Sequence, residues 1–241
     1  MLLYIVVVSS IVAIANAIKV APLTNPCSQK SFDLNECISI KLDDAKPYLL
    51  DGIPELSIPS LKHIYIPYSY LNRSNYEFGV WNYDITGLEN FNILKVDVDP
   101  KENIFKIEIE FPYGEGNGSY GFKGNLFNLN FDGTGPIKVN GTTLIVNLVL
   151  KTKVVQRNGH NYLEKVNSHV NAKIHGSFYM YLYNLYSGNT MITEIMNLVI
   201  KDNSFYMFEL VAPILENQIK SLLDKAIDNV FKTYTYEELL P

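Results

Sequence analysis

The sequence predicts an α+β fold in which a long antiparallel sheet wraps one long C-terminal helix. Three stretches carry that expectation. Between Glu209 and Phe231, residues Leu215, Ile219, Leu222, Ala226 and Val230 recur at spacings of three and four, which places them on one side of a helix. Phe105, Ile107, Ile109 and Phe111 alternate with Lys106, Glu108 and Glu110, the pattern of a half-buried antiparallel strand. From Tyr162 to Leu182 the even positions, Val166, Ser168, Val170, Ala172, Ile174, Gly176, Phe178, Met180 and Leu182, are apolar or small, while Lys165, Asn167, His169, Asn171, Lys173 and His175 fill the odd ones. A single strand of that length would span roughly 60–70 Å at about 3.3 Å per residue. That far exceeds the usual strand and requires a strongly coiled sheet. A lone amphipathic helix needs a partner to bury its apolar side, and the sheet is the only partner of sufficient size.

In chain order, Met1 to Ala17 is uncharged, mostly apolar and ends in Ala15-Asn16-Ala17, a small-x-small cleavage site, so residues 1–17 read as a signal peptide. The run is short for a membrane span, although an uncleaved anchor is the alternative. Residues 18–241 then form one domain, with no Pro/Ser-rich linker and no internal repeat to divide it. The expected product is secreted, extracellular and monomeric, without integral membrane association. Cys27 and Cys37 are the only two cysteines, and in a secretory context they are expected to form a disulfide that ties down the N-terminal segment. Sequons at Asn72, Asn117 and Asn140 lie among Gly and polar residues and read as glycosylation sites on surface loops.

Ile38, Leu42, Ala45 and Leu49 predict a short helix that Pro47 kinks or shortens, with Gly52 at its C-cap. From Ile64 to about Lys153 the chain reads as consecutive strands. Phase slips at Val80-Trp81 and between Leu126 and Phe127 are read as β-bulges that bend the sheet. Asn189 is the expected N-cap of a short helix that ends near Lys201 to Asn203. In the last helix Val211, Leu223 and Ile227 widen the apolar stripe, and Glu216, Lys220, Asp224 and Asp228 are assigned to the opposite, solvated side. Pro213 allows two starts, one just before it and one near Ser204.

Net charge is −5, from 20 basic and 25 acidic residues, and this mixed, mildly acidic surface argues against a nucleic-acid partner. Gly116-Asn-Gly-Ser-Tyr-Gly121 spells G-x-G-x-x-G, but alternating strand follows it where a dinucleotide site needs a helix N-terminus. It reads as a glycine-rich turn, and no cofactor is expected. His63, His160, His169 and His175 form no metal-binding spacing. No serine stands in G-x-S-x-G, so neither a metal nor a catalytic constellation is assigned and the protein is not read as an enzyme. The chain carries 17 Tyr and 12 Phe. Most such rings belong to strands and core, the rest suit an apolar ligand pocket, and a tyrosine hydroxyl in such a pocket would orient the polar end of a lipid.

The chain resembles the insect takeout and juvenile-hormone-binding protein family. The resemblance is carried by Cys27 and Cys37, Gly52 to Leu61 (GIPELSIPSL), Ile85 to Phe91 (ITGLENF), Tyr120 to Gly135, Asn184 to Asn189, and Val211 to Leu215. Juvenile-hormone binders commonly carry a second disulfide for which this chain has no cysteines, so the resemblance is to the takeout branch. It implies a TULIP-like fold, a strongly curved sheet around the C-terminal helix with a hydrophobic tunnel between them. The implied function is a secreted carrier of a small hydrophobic ligand such as a terpenoid hormone, a fatty acid or a similar lipid. The alternative is an extracellular interaction or membrane-surface protein without a bound small molecule. Candidate ligand-binding residues on the sheet are Phe105, Ile107 and Ile109, then Leu144, Val146 and Leu148, then Val170, Phe178 and Met180. On the helix they are Leu215, Ile219 and Leu222.

Overall fold

The computed structural model describes residues 26–30, 32–126, 128–186 and 189–241. The signal peptide assigned to residues 1–17 lies outside the described residues. Seven strands form one open antiparallel sheet: β1 (Ile64–Asn72), β2 (Tyr76–Thr86), β3 (Asn92–Asp99), β4 (Ile104–Leu126), β5 (Leu129–Arg157), β6 (His160–Ile174) and β7 (Phe178–Leu182). Among the described residues four α-helices accompany them: α1 (Leu34–Asp51), α2 (Thr190–Asp202), α3 (Ser204–Thr233) and α4 (Tyr236–Leu239).

The spine of the sheet is the β4–β5 hairpin, paired without a slip from Ile104↔Lys151 to Leu126↔Leu129. Halfway along, its inward face changes phase in both strands at once. Phe111 and Leu144 point inward on one side of the change, and Gly114, Gly116, Val139 and Gly141 on the other. Between them lie Pro112, which has no N–H to give the ladder, and Thr143 at φ 53. The hairpin therefore bends, and it divides the sheet into two halves. One half is β3-β4-β5-β6; the other is β1-β2-β4-β5-β7.

The stretch predicted as one strand from Tyr162 to Leu182 is two strands, β6 and β7, both paired to β5. Leu144↔Ile174 is followed by Gly141↔Phe178, so two residues of β5 face three between β6 and β7. His175–Ser177 forms this irregularity, and His175 and Gly176 give their N–H groups to the Thr143 and Thr142 carbonyls. Gly176 is small because a Cβ there would lie 2.6 Å from the Thr142 carbonyl oxygen, not because α3 approaches it. A second shift, between Lys151↔Asn167 and Thr152↔Lys165, turns Val166 outward to 53% exposure and brings Leu163 inside at 2%. Val166 thus does not belong to the inner face. The phase slip at Leu126 is the hairpin reversal, with Asn128 at φ 61, whereas the slip after Val80 is a bulge between Trp81 and Asp84 with Asn82 at φ 47.

Further expectations need correction. The first helix runs for 18 residues straight through Pro47, begun by Asp33 accepting from the Glu36 N–H and stopped at Gly52. Helix α3 starts at Ser204 and carries Pro213 inside. Proline removes the helical donor of the Glu209 carbonyl, and beside it the Leu210 carbonyl accepts a hydrogen bond from the Tyr76 hydroxyl at 2.9 Å. The three sequons lie on strands, not loops: Asn72 ends β1, Asn117 is in β4 and Asn140 in β5. Gly116–Gly121 is an uninterrupted part of β4, not a turn.

Of the four edge strands, β1, β3, β6 and β7, three have a backbone N–H met by a helix side chain. Asn35 of α1 accepts from the Val98 N–H of β3 at 2.9 Å. Asn197 of α2 accepts from the Leu182 N–H and donates to the Leu182 carbonyl, both at 2.9 Å, which copies a neighbouring strand at the edge of β7. Glu216 of α3 accepts from the Ala172 N–H of β6 at 2.9 Å and from Asn171 Nδ2 at 3.1 Å. Farther along α3, Lys220 donates to Ser168 Oγ at 2.8 Å and pairs with Asp224 at 2.6 Å. Asp224 also accepts from Ser168 Oγ at 2.5 Å and lies 3.2 Å from Lys165, which reaches Asp228 at 3.1 Å. The side of α3 assigned to solvent therefore faces β6. Burial alone would push the Asp224 carboxyl up, but the hydrogen bonds from Lys220, Ser168 and Lys165 outweigh it and hold the group below its ordinary value.

The disulfide joins Cys27 and Cys37. Cys27 packs with Leu34, Val98 and Leu240 in a small second core, and the Gln29 N–H donates to the Pro241 carbonyl at 3.0 Å. Both ends of the described chain are thereby fastened beside β3. Cys27→Ser is expected to lower stability by about 2–3 kcal/mol, the loop-closure value for so short a loop, read from denaturant unfolding against wild type. Glu216→Ala should cost about 1–3 kcal/mol because it strands the Ala172 N–H. Exposed Glu209→Ala should stay within about 0.5 kcal/mol, and equal effects in the two unfolding curves would contradict the assigned orientation of α3.

Candidate ligand cavity

With its polar side committed to β6, α3 turns Val211, Leu215, Ile219, Leu222, Leu223 and Ala226 toward the concave face of the sheet. The two surfaces meet where Phe208 packs edge-on against Phe178, at 5.3 Å between ring centroids, but not along their whole length. They leave a cavity of about 410 Å³, a size that suits a drug-sized guest. From the other edge of the sheet, Gln218 of α3 donates to Ser69 of β1 at 3.1 Å, so the helix is tied to both β1 and β6 and spans the opening between them.

Nine of the twelve candidate residues border this cavity: Ile109, Leu144, Val146, Leu148, Phe178, Met180, Leu215, Ile219 and Leu222. Three do not. Phe105 packs against the disulfide core, Val170 is buried in the main core at 4% exposure, and Ile107 lies outside the lining. Phe105, Ile107 and Ile109 share one phase of β4, and distance along the strand divides them: Ile109 lies next to the bend and borders the void, while Phe105 lies farther away against the disulfide core.

Residue-pattern reasoning missed an entire wall. Ile64 and Ile66 of β1 are opposite Ile85 and Tyr83 of β2, and all four border the cavity together with Phe78 and Val80. The Ile64/Ile66 alternation with Tyr65 was a usable signal for β1. In β2 the bulge hides it, since inward residues are Phe78 and Val80 before the bulge and Tyr83 and Ile85 after it. One end of the cavity is formed by Leu49, Ile58, Pro59 and Leu61, with Leu88 and Phe91 nearby. Gly52, at φ 85, lets the chain fold back there: a Cβ would lie 2.7 Å from the Ser60 nitrogen, and Ile53 and Ile58 exchange backbone hydrogen bonds.

Polar groups are few. Among the described residues the lining contains Tyr83, Gln218 and Glu115, and no Lys, Arg or His. Glu115 is exposed, and its carboxylate accepts from the Thr86 and Tyr113 hydroxyls. Tyr83 is held well above the usual phenol range by desolvation, with no charge to oppose it. All four histidines are exposed, and among the described residues no cluster of His, Cys, Asp or Glu could hold a metal ion. No described helix is long and apolar enough to cross a membrane. What the lining among the described residues can do is surround an apolar molecule.

A curved sheet closed by a helix over an apolar cavity defines a class of binding protein. The chain belongs to the haemolymph juvenile hormone binding protein family, whose model matches residues 2–241. Its fold is that of Takeout 1 from Epiphyas postvittana: the crystal structure is matched over 90% of this chain and 99% of that one, at 17% identity and a TM-score of 0.78. A lipopolysaccharide binding protein is a remote likeness, 11% identical over 80% of this chain and 38% of that one, with a TM-score of 0.37. No curated protein matches the chain by sequence.

Leu222→Asp is expected to destabilise the protein by about 3 kcal/mol, since it sets a carboxylate against apolar walls without a partner. Ser221→Asp, one residue away and exposed, should change stability by less than about 0.5 kcal/mol. Thermal unfolding of the two variants checks which side of α3 faces the cavity.

Proposed function

We propose that the protein is a secreted carrier that holds a small hydrophobic ligand, such as a terpenoid hormone, a fatty acid or a similar lipid, between α3 and the concave face of the sheet. The observation that carries this reading is the near-absence of polar side chains around a cavity of about 410 Å³. Walls of that kind lose dispersion contacts unless an apolar guest supplies them. Transfer of the guest from water adds about 25 cal/mol per Å² of apolar area before the costs of association, enough for micromolar binding or tighter. Membership of a family of binding proteins supports the same reading, as does the leader that reads as a signal peptide. Ile109, Leu144, Val146, Leu148, Phe178, Met180, Leu215, Ile219 and Leu222 are the residues proposed to touch the ligand.

Native mass spectrometry of the purified full chain should detect an added mass that solvent extraction removes. Val139→Trp, which fills the void from β5, should weaken saturable binding of a fluorescent isoprenoid or fatty-acyl probe about tenfold or more. If no lipid copurifies and no probe is displaced by any lipid, the carrier reading is wrong.

A further inference from the structure

Of the four edges of the sheet, β1 is the one whose backbone no helix side chain meets among the described residues. Gln218 of α3 reaches this strand only at the Ser69 side chain. At the end of β1 the Arg73 N–H donates to the Tyr76 carbonyl at 2.8 Å and closes the β1–β2 ladder. The register runs back from there without a slip, from Asn72↔Glu77 to Tyr68↔Trp81. Antiparallel pairs alternate between residues that bond across the pair and residues whose backbone groups point away from it. Leu71 and Ser69 therefore share the side of Arg73, while Tyr68, Tyr70 and Asn72 turn their N–H and carbonyl groups to the free edge.

The strand itself offers little against a visitor. Ile64–Asn72 contains no charged residue, and its tyrosines and isoleucines favour strand pairing. Tyr68 and Tyr70 are 61% and 47% exposed, with their rings 8° from parallel and 6.5 Å apart. Pro67 blunts the edge, but it precedes the run from Tyr68 to Asn72. An uncharged edge of this kind is a template on which another chain can add a strand.

That run ends on a sequon. Asn72, Arg73 and Ser74 are all exposed where the chain enters the β1–β2 turn. Asn72 follows Tyr68 and Tyr70 at spacings of two, so its side chain stands with theirs on the face turned away from the cavity. A strand added to β1 would run about 4.8 Å away, and one of its side chains would come within about 4.5–5.5 Å of the Asn72 Cβ. A sugar on Asn72 would take that space. The other two sequons have no such position. Asn117 in β4 lies between β2 and β5, and Asn140 in β5 lies between β4 and β7, so glycans there would stand in mid-sheet and cover no edge.

We infer that Asn72 carries an N-linked glycan and that this glycan closes the β1 edge to a further strand, which keeps the protein monomeric. The inference rests on the secreted reading, because the glycan is attached only to a chain that enters the secretory pathway.

Expression of the full chain with its own leader in cultured eukaryotic cells separates the two levels. Glycopeptide mass spectrometry of protein from the medium should find Asn72 occupied. Ser74→Ala removes the sequon, leaves Asn72 in place, and should shift the light-scattering mass from one chain to oligomers. Asn117→Gln and Asn140→Gln should stay monomeric. Adding Tyr68→Lys to Ser74→Ala should restore the monomer, because a charge on the edge replaces the lost glycan; it would not replace a glycan that only aided folding. If Ser74→Ala fails to reach the medium, recovery of secretion in the double variant supports the inference and its absence overturns it. A secreted wild type with bare Asn72, a monomeric Ser74→Ala, or oligomers that persist in the double variant would also overturn it, while the secreted reading stands. If the wild-type chain never leaves the cell, both fail.

Discussion

The contact between α3 and the edge of β6 sets the rest of the molecule. An open sheet has edge strands with unpaired backbone groups, and β6 meets Glu216, Lys220 and Asp224 where a further strand could otherwise add. These residues stand four apart, so they form one stripe along the helix and fix its rotation about its own axis. Once that stripe is spent on β6, the apolar stripe can only look into the concavity. A helix rotated by half a turn would put carboxylates into the cavity and leave the β6 backbone unsatisfied. The ion pairs are part-exposed and individually of small worth; their effect lies in orientation, and the Glu216 carboxylate on a backbone N–H is the contact whose loss leaves something buried and unpaired.

The same economy appears around the sheet. Asn35, Asn197 and Glu216 come from three different helices, and each meets a backbone N–H of a different edge strand. These contacts cover three of the four edges; β1, paired only to β2, is the fourth. An open, bent sheet cannot close upon itself to fill its own interior, as a small barrel does with side chains. One helix across the concavity covers the opening without filling it. The cavity thus follows from a mismatch between a 29-residue strand bent around its middle and the width of a single helix.

How the cavity came to be lined as it is depends on irregularities. The bend at Pro112 and Thr143, the bulge at Asn82, and the shifts at Val166 and His175–Ser177 each reverse or restore the side of the sheet on which alternate residues point. Without them Phe105, Ile107, Ile109 and Phe111 would share one wall with residues farther along β4. With them the cavity takes Ile109 and Phe111 from one side of the bend, and on the other side Gly116 and Gly118 face Tyr83. Each irregularity moves residues between core, cavity and surface without changing their chemistry.

What the sequence determined by itself is what local periodicity and covalent chemistry can determine. The period of three and four in α3, the alternation in β4, the Asn189 cap, the Gly52 stop and the pairing of the only two cysteines are all legible because each depends on neighbours within a few residues. The apolar side of α3 was legible too, and Leu215, Ile219 and Leu222 border the cavity. The polar side was misread because a charged residue looks the same from sequence whether it faces water or an edge strand more than forty residues away, as Glu216 and Ala172 are. Register shifts were mostly hidden: Val166, between Lys165 and Asn167, continues the alternation of the stretch although the shift turns it outward. Tyr83 was one tyrosine among 17 until β2, β4 and the bulge brought it against two glycines. Sequence set the elements and their faces; only the tertiary structure decided which face met protein, which met the cavity, and which polar group was left bordering it, because those outcomes depend on pairing between distant strands.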